Sequence, residues 1–159
     1  MKIIPIILLV LLKMSTLCHG ANVGDNAPDF RAVTLKGNSI SYGSQLKDKK
    51  PVYLVFWATW CPNCKRELPH VEKLFEKFGD KISFIAVNVA INESLSSVEK
   101  YVATMNLTLP VVYDEDKKIM KAYGVVGTPT TIILSRDGKI KYRDVNTPDD
   151  VTGYLDKLR

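Results

Sequence analysis

WATWCPNCKRELP, residues 57–69, begins inside an almost unbroken apolar run, PVYLVFWA (51–58), and the join between the two decides the fold. The run is rich in valine and aromatics, as in a strand covered on both faces. From Pro62 the apolar period becomes helical: Leu68, Val71, Leu74, Phe75 and Phe78 return on one face, and Gly79 closes the segment. Cys61 therefore falls where a buried strand ends and a helix begins. There the first helical N–H groups lack partners and the positive end of the helix dipole faces the sulfur. That setting favours the thiolate, by about 2 kcal/mol even for a modest effect.

Cys64 follows one helical turn later, close enough to form a disulfide with Cys61. In thiol–disulfide exchange Cys61 is the expected nucleophile, attacking a partner's disulfide, and Cys64 the resolving thiol that breaks the mixed intermediate. That second step requires Cys64 to lose a proton. Glu67 lies about 60° from Cys64 around the helix, inside the apolar arc that a carboxylate ordinarily avoids. Either it sits at the edge of the stripe and reaches solvent, or it exchanges a proton with Cys64, directly or through water. Beside two thiols the second reading is favoured. Pro69 removes one backbone hydrogen bond from the same helix, so a bend is expected, and His70 falls on the opposite, exposed side.

Other uses of the pair fit less well. Two intervening residues close too small a loop for an effective structural staple. Zinc ordinarily takes four Cys or His ligands, and the chain has three cysteines and two histidines in all, with no second pair. Lys65 rather than histidine follows Cys64, which excludes c-type haem attachment. Copper held by two thiolates stays as a non-enzymatic alternative. No metal and no organic cofactor is expected.

The chain has 159 residues, 46% hydrophobic and 25% charged, enough for one domain with a full core. Its first segment carries Lys2, then IIPIILLVLL, then Lys13 and a polar stretch, the layout of a signal peptide over residues 1–20, cut before Ala21. Ten helical residues reach about 15 Å, half a bilayer core, so cleavage is favoured over an uncleaved anchor. A lipoprotein cysteine at Cys18 is disfavoured by the bulky Leu17 before it. Each version exports the domain 21–159 to a periplasmic or other extracytoplasmic space, where the remaining Cys61 and Cys64 can persist as a disulfide. Two of the 22 basic residues lie in the leader, leaving 20 against 17 acidic. These charges are interspersed, with no basic stripe, so nucleic acid is not an expected partner. Asn92 and Asn106 begin N-x-S/T triplets, which matter only in a host that secretes through an endoplasmic reticulum.

The remaining elements follow in order. DFRAVTLKGNSISY reads as a hairpin around Gly37-Asn38, residues 82–90 as a buried strand, 94–106 as a helix with a serine start, and LPVVYD as a short strand. KKIMKAYG is a short helix ending on Gly124, TPTTIILS a strand, and SRDGKIKYRDV a hairpin turn at Asp137-Gly138. Pro148 to Leu158 reads as a final helix with proline in its first turn. Strands alternating with helices, closed by a hairpin and helix, argue for a mixed α/β sheet.

CxxC after an aromatic strand, with a later GTPT segment, resembles the thioredoxin superfamily. WCPNCKRELP together with APDF (27–30) is similar to its exported TlpA-like, ResA-like and CcmG-like branch, over roughly residues 24–158. The resemblance implies a thioredoxin fold with an N-terminal β-hairpin and a helix–strand insertion at residues 94–114, before a cis-proline at Pro129. It implies that Trp60, Thr128 and Pro129 contact substrate, with the Thr128 backbone open to an extended peptide. Glu67 matches an active-site acid of this branch, whereas Val55 stands where ordinary thioredoxins hold a buried aspartate. Pro62 and Asn63, between the cysteines, tune the redox poise, and this pair matches no single branch. Peroxiredoxins share the APDF segment but place threonine three residues before the reactive cysteine, while Thr59 stands two before Cys61.

The expected activity is thiol–disulfide oxidoreduction on other exported proteins, as a reductant, with apocytochrome c during cytochrome c maturation as a candidate substrate. Net oxidation or isomerisation of disulfides is the enzymatic alternative. Family analogy supplies a membrane thiol reductant system as a partner, and a monomer is expected.

Overall fold

The computed structural model describes residues 21–43, 49–148, 150–156 and 158. The expected leader, 1–20, lies outside the described residues. In chain order the elements are β1 (Arg31–Val33), β2 (Ser39–Ser41), β3 (Val52–Trp57), α1 (Pro62–Phe78), β4 (Ser83–Asn88), α2 (Leu95–Thr104), β5 (Val111–Tyr113), α3 (Lys118–Ala122), β6 (Thr130–Leu134), β7 (Ile140–Asp144) and α4 (Val151–Asp156). Five strands form one sheet in the order β5-β4-β3-β6-β7, and β1 and β2 form a separate hairpin. The mixed α/β fold, the N-terminal hairpin and the α2–β5 insertion expected before Pro129 are all present.

β3 holds the centre. It runs parallel to β4, pairing Val52 with Ser83 through Trp57 with Asn88, and antiparallel to β6. All six of its residues are buried, as the unbroken apolar run required of a strand covered on both faces. The β1–β2 hairpin closes the β5 edge, where Leu35 N–H donates to Val111 O at 2.8 Å. At the other edge, Gly24 N–H donates to Ile140 O at 2.8 Å, and Ile140 N–H to Asp25 O at 2.9 Å. The N-terminal segment thus covers backbone groups that would otherwise template another strand. Phe30 of the APDF segment packs edge-on to Tyr123, whose hydroxyl donates to Pro28 O at 2.9 Å.

α1 buries Leu68 and Val71 completely and packs Leu74, Phe75 and Phe78 against the core, so the expected stripe is real. It also buries Glu72, which periodicity did not anticipate. Glu72 accepts from Thr108 N–H at 2.8 Å, from Leu109 N–H at 3.2 Å and from the Thr108 hydroxyl, fastening α1 to the turn before β5. The carboxylate is tolerated in the core because donors from a distant loop replace water.

Two ends differ from expectation. Gly79 ends α1 in right-handed geometry (φ −57°), not the left-handed cap its identity suggested. Glycine is needed there for space, since a Cβ would come within 2.8 Å of Phe75 O. The final helix starts at Val151 rather than Pro148, because Asp150 receives the Gly153 N–H at 2.8 Å and acts as its cap. Thr147 is engaged elsewhere.

Glu72→Ala leaves the Leu109 amide buried without its acceptor. Urea unfolding is expected to show a loss of roughly 2 kcal/mol, and a change within about 0.5 kcal/mol, the range of ordinary surface substitutions, would contradict the role given to Glu72.

Candidate active site

β3 carries the chain into the site. After Trp57, Ala58 is buried, Thr59 half-buried and Trp60 exposed, and Cys61 becomes the N-cap of α1. Its backbone is extended (φ −82°, ψ 113°), and its Sγ accepts the Cys64 N–H at 3.1 Å, the place an oxygen occupies in an ordinary cap. Lys65 N–H donates to Cys61 O at 3.2 Å, so sulfur and carbonyl together begin the helix. Cys61 and Cys64 form a disulfide, with Cα atoms 5.2 Å apart. Both residues are almost wholly covered, at 3% and 1% exposure.

The lead-in is clamped from the turn after β4. Glu93 accepts the Thr59 N–H through Oε2 at 3.0 Å and the Asn88 side-chain amide through Oε1 at 3.0 Å. Trp60 Nε1–H donates to Ile91 O at 2.7 Å. These bonds fix the two residues before Cys61. Pro62 and Asn63 are exposed, and Asn63 Oδ1 accepts from Arg66 on the solvent side of α1.

The turn before β6 forms the opposite wall. The Thr128–Pro129 bond is cis and Pro129 is buried. Thr128 O lies 3.4 Å from Cys61 Sγ, a distance at which the reduced thiol can donate to it. Beside it opens a groove of about 80 Å³ whose lining includes Trp60, Ile91, Met120, Val125, Val126 and Thr128. Val126 is fully exposed and Trp60 half-exposed at its rim, so apolar surface faces solvent next to the sulfur.

Glu67 is half-buried, and its Oε1 accepts both the N–H of Thr147, at 3.0 Å, and the Thr147 hydroxyl. The Thr147 hydroxyl in turn meets the Tyr53 hydroxyl at 2.5 Å. Burial pushes the Tyr53 phenol up to about 12, an effect its hydrogen bond with Thr147 partly opposes. Val55, on β3, is buried and paired with Thr131, so no acid occupies that strand position. His70 is exposed, as its helical phase indicated. Sequence reasoning missed Glu93, Thr147 and Tyr53. Their partners lie 34, 80 and 94 residues away, beyond any local period.

A cysteine pair at the first turn of a helix, facing a cis-proline turn across the end of a central β-strand, defines a thioredoxin-fold thiol–disulfide oxidoreductase. The Redoxin family matches residues 22–158, and the chain belongs to it. It is 34% identical over 142 residues to the thiol-disulfide oxidoreductase ResA of Geobacillus kaustophilus, covering 86% of this chain and 78% of that one. With the thioredoxin-like protein YneN of Bacillus subtilis it shares 40% identity over 129 residues, covering 80% and 74% of the two chains. The crystal structure of StoA from Bacillus subtilis superposes with a TM-score of 0.69 at 29% identity, over 77% of this chain and 90% of that one.

The raised phenol of Tyr53 predicts an alkaline limit. Between the ordinary tyrosine value near 10 and the folded value of about 12, the unfolded chain has released a proton that the folded chain retains. Stability conferred by the neutral phenol is therefore intact below about pH 10 and falls progressively toward pH 12, by roughly 2–3 kcal/mol in all. Tyr53→Phe should flatten that part of the stability–pH curve, and a curve of unchanged steepness would contradict the assignment.

Proposed function

We propose that the protein acts outside the cytoplasm as a reductant of disulfides in other exported proteins. The observation that carries this reading is the position of the Cys61–Cys64 pair: its nucleophilic sulfur lies beside the Thr128 carbonyl and an open apolar groove, where an extended polypeptide can dock. A small soluble disulfide would gain little from such a surface. Trp60, Thr128 and Pro129 are the contacts proposed for the substrate backbone and side chains, and Pro62 and Asn63 the residues that tune the potential.

Reduction proceeds in two steps. The Cys61 thiolate attacks one sulfur of the substrate disulfide, and the other leaves as a thiolate. Cys64 then transfers its proton to Glu67 and attacks Cys61, releasing the second substrate thiol and leaving Cys61 and Cys64 oxidised. No organic cofactor enters this cycle, since the two electrons come from the dithiol itself. A membrane thiol system that restores the dithiol is the partner implied by the family, and apocytochrome c, whose haem-binding thiols must be reduced, is the proposed substrate.

The similarity to the thiol-disulfide oxidoreductase ResA supports the disulfide chemistry, and the charged, apolar, polar order of residues 1–20 supports the location. No helix among the described residues is long and apolar enough to cross a membrane. The protein is proposed to work as a monomer.

A Cys64→Ala variant exported from its host should accumulate mixed disulfides through Cys61, and the captured chains should be exported proteins with paired cysteines. Capture that persists in Cys61→Ser/Cys64→Ala, or a Cys61–Cys64 potential well above about −200 mV, toward the oxidising end of such pairs, would overturn the reductant reading.

A further inference from the structure

Glu67 is held by a residue eighty positions further along the chain, and the arrangement has a direction. A carboxylate can only accept, so the single hydroxyl proton of Thr147 points to Glu67 Oε1. Thr147 Oγ1 must then accept from Tyr53 at 2.5 Å, and the order of donation runs from Tyr53 through Thr147 to Glu67. Tyr53 is wholly buried in the central strand, paired with Phe84 on one side and Ile133 on the other, so the chain begins on the most rigid element of the fold.

Thr147 itself is 9% exposed and stands between the end of β7 and Pro148. Local structure does not need its side chain, because Asp150 caps α4. Its hydroxyl and its N–H both converge on Oε1 of Glu67, which leaves Oε2 without either of these donors. Cys64 precedes Glu67 by three residues on α1, and side chains at that spacing are neighbours on a helix surface.

We propose that Thr147, backed by Tyr53, is a positioning residue for thiol–disulfide exchange, gripping Oε1 of Glu67 so that Oε2 is the oxygen that takes the proton of Cys64. This rests on the role given to Glu67 above and extends it. The step balances: the Cys64 S–H bond breaks as the Oε2–H bond forms, and the Cys64 electron pair makes the new bond to Cys61. The sulfur of the substrate leaves with the electron pair of the mixed disulfide.

The test is rapid mixing of the reduced full chain with a peptide bearing a fluorophore on a disulfide. It separates the concentration-dependent attack by Cys61 from the concentration-independent release by Cys64. Thr147→Val, similar in shape but without the hydroxyl, should slow release about 10-fold, the scale of one lost hydrogen bond to a charged group, and leave attack within about 2-fold. Thr147→Ser should restore release, and Tyr53→Phe should slow it about 3-fold, as loss of the more distant, neutral bond would. In a Glu67→Gln background Thr147→Val should add nothing. Equal slowing of both phases by Thr147→Val, or failure of Thr147→Ser to restore release, would make Thr147 merely structural and overturn the proposal. If Glu67→Gln slows release and Thr147→Val does not, this inference alone fails. If Glu67→Gln leaves release unchanged, the role of Glu67 fails first.

Discussion

The hydrogen bond from the Cys64 amide to the Cys61 sulfur is the contact on which the site depends. An N-terminal helical amide needs an acceptor, and most helices supply an oxygen from Ser, Thr, Asp or Asn. Here sulfur fills that position, so the amide that starts the helix is placed where it would stabilise negative charge on Cys61 once the disulfide is reduced. Structure and reactivity meet in one atom. Replacing Cys61 by a better conventional cap would keep the helix start and remove the chemistry.

Such a sulfur is useful only if the backbone leading to it cannot drift. β3 supplies one fixed point, held on both sides by β4 and β6 and buried along its whole length. Glu93 and Ile91 supply the next, taking the N–H of Thr59 and the indole of Trp60. Thr128 closes the third side. The last two anchors come from turns that follow β4 and precede β6 at the same end of the sheet, the usual place for a site in an α/β fold. Two carboxylates of α1 hold it from different flanks: Glu72 ties the helix to the turn before β5, whereas Glu67 reaches Thr147 after β7. Two acids five residues apart on one helix thus make different attachments, and of the two only Glu67 lies within a turn of Cys64.

Much of this was legible from residue order alone, for identifiable reasons. The strand-to-helix change at residues 57–62 is a switch of period, and period is a local property of sequence. The hairpin turns at Gly37 and Gly138 follow from φ of +80° and +83°, which glycine adopts without strain. Glu67 was visible as a carboxylate inside an apolar arc, but the identity of its partner was not. Thr147 is one of many threonines, and nothing near it marks it as the hydroxyl that crosses to α1. Glu72 and Glu93 were hidden for the same cause, since a buried acid declares itself only through donors brought close by folding. Gly79 misled because glycine after a helix usually signals a left-handed cap, and here it answers a crowded carbonyl.

The central claim is that the helix start makes the Cys61 sulfur an anion more readily than an isolated cysteine. Thiolate absorbance of the reduced protein, followed against pH in Cys64→Ala so that one thiol is observed, tests it most directly. Ionisation well below the value of about 8.5 for an unperturbed thiol is predicted. A curve that coincides with that of a cysteine in a short unstructured peptide would contradict it.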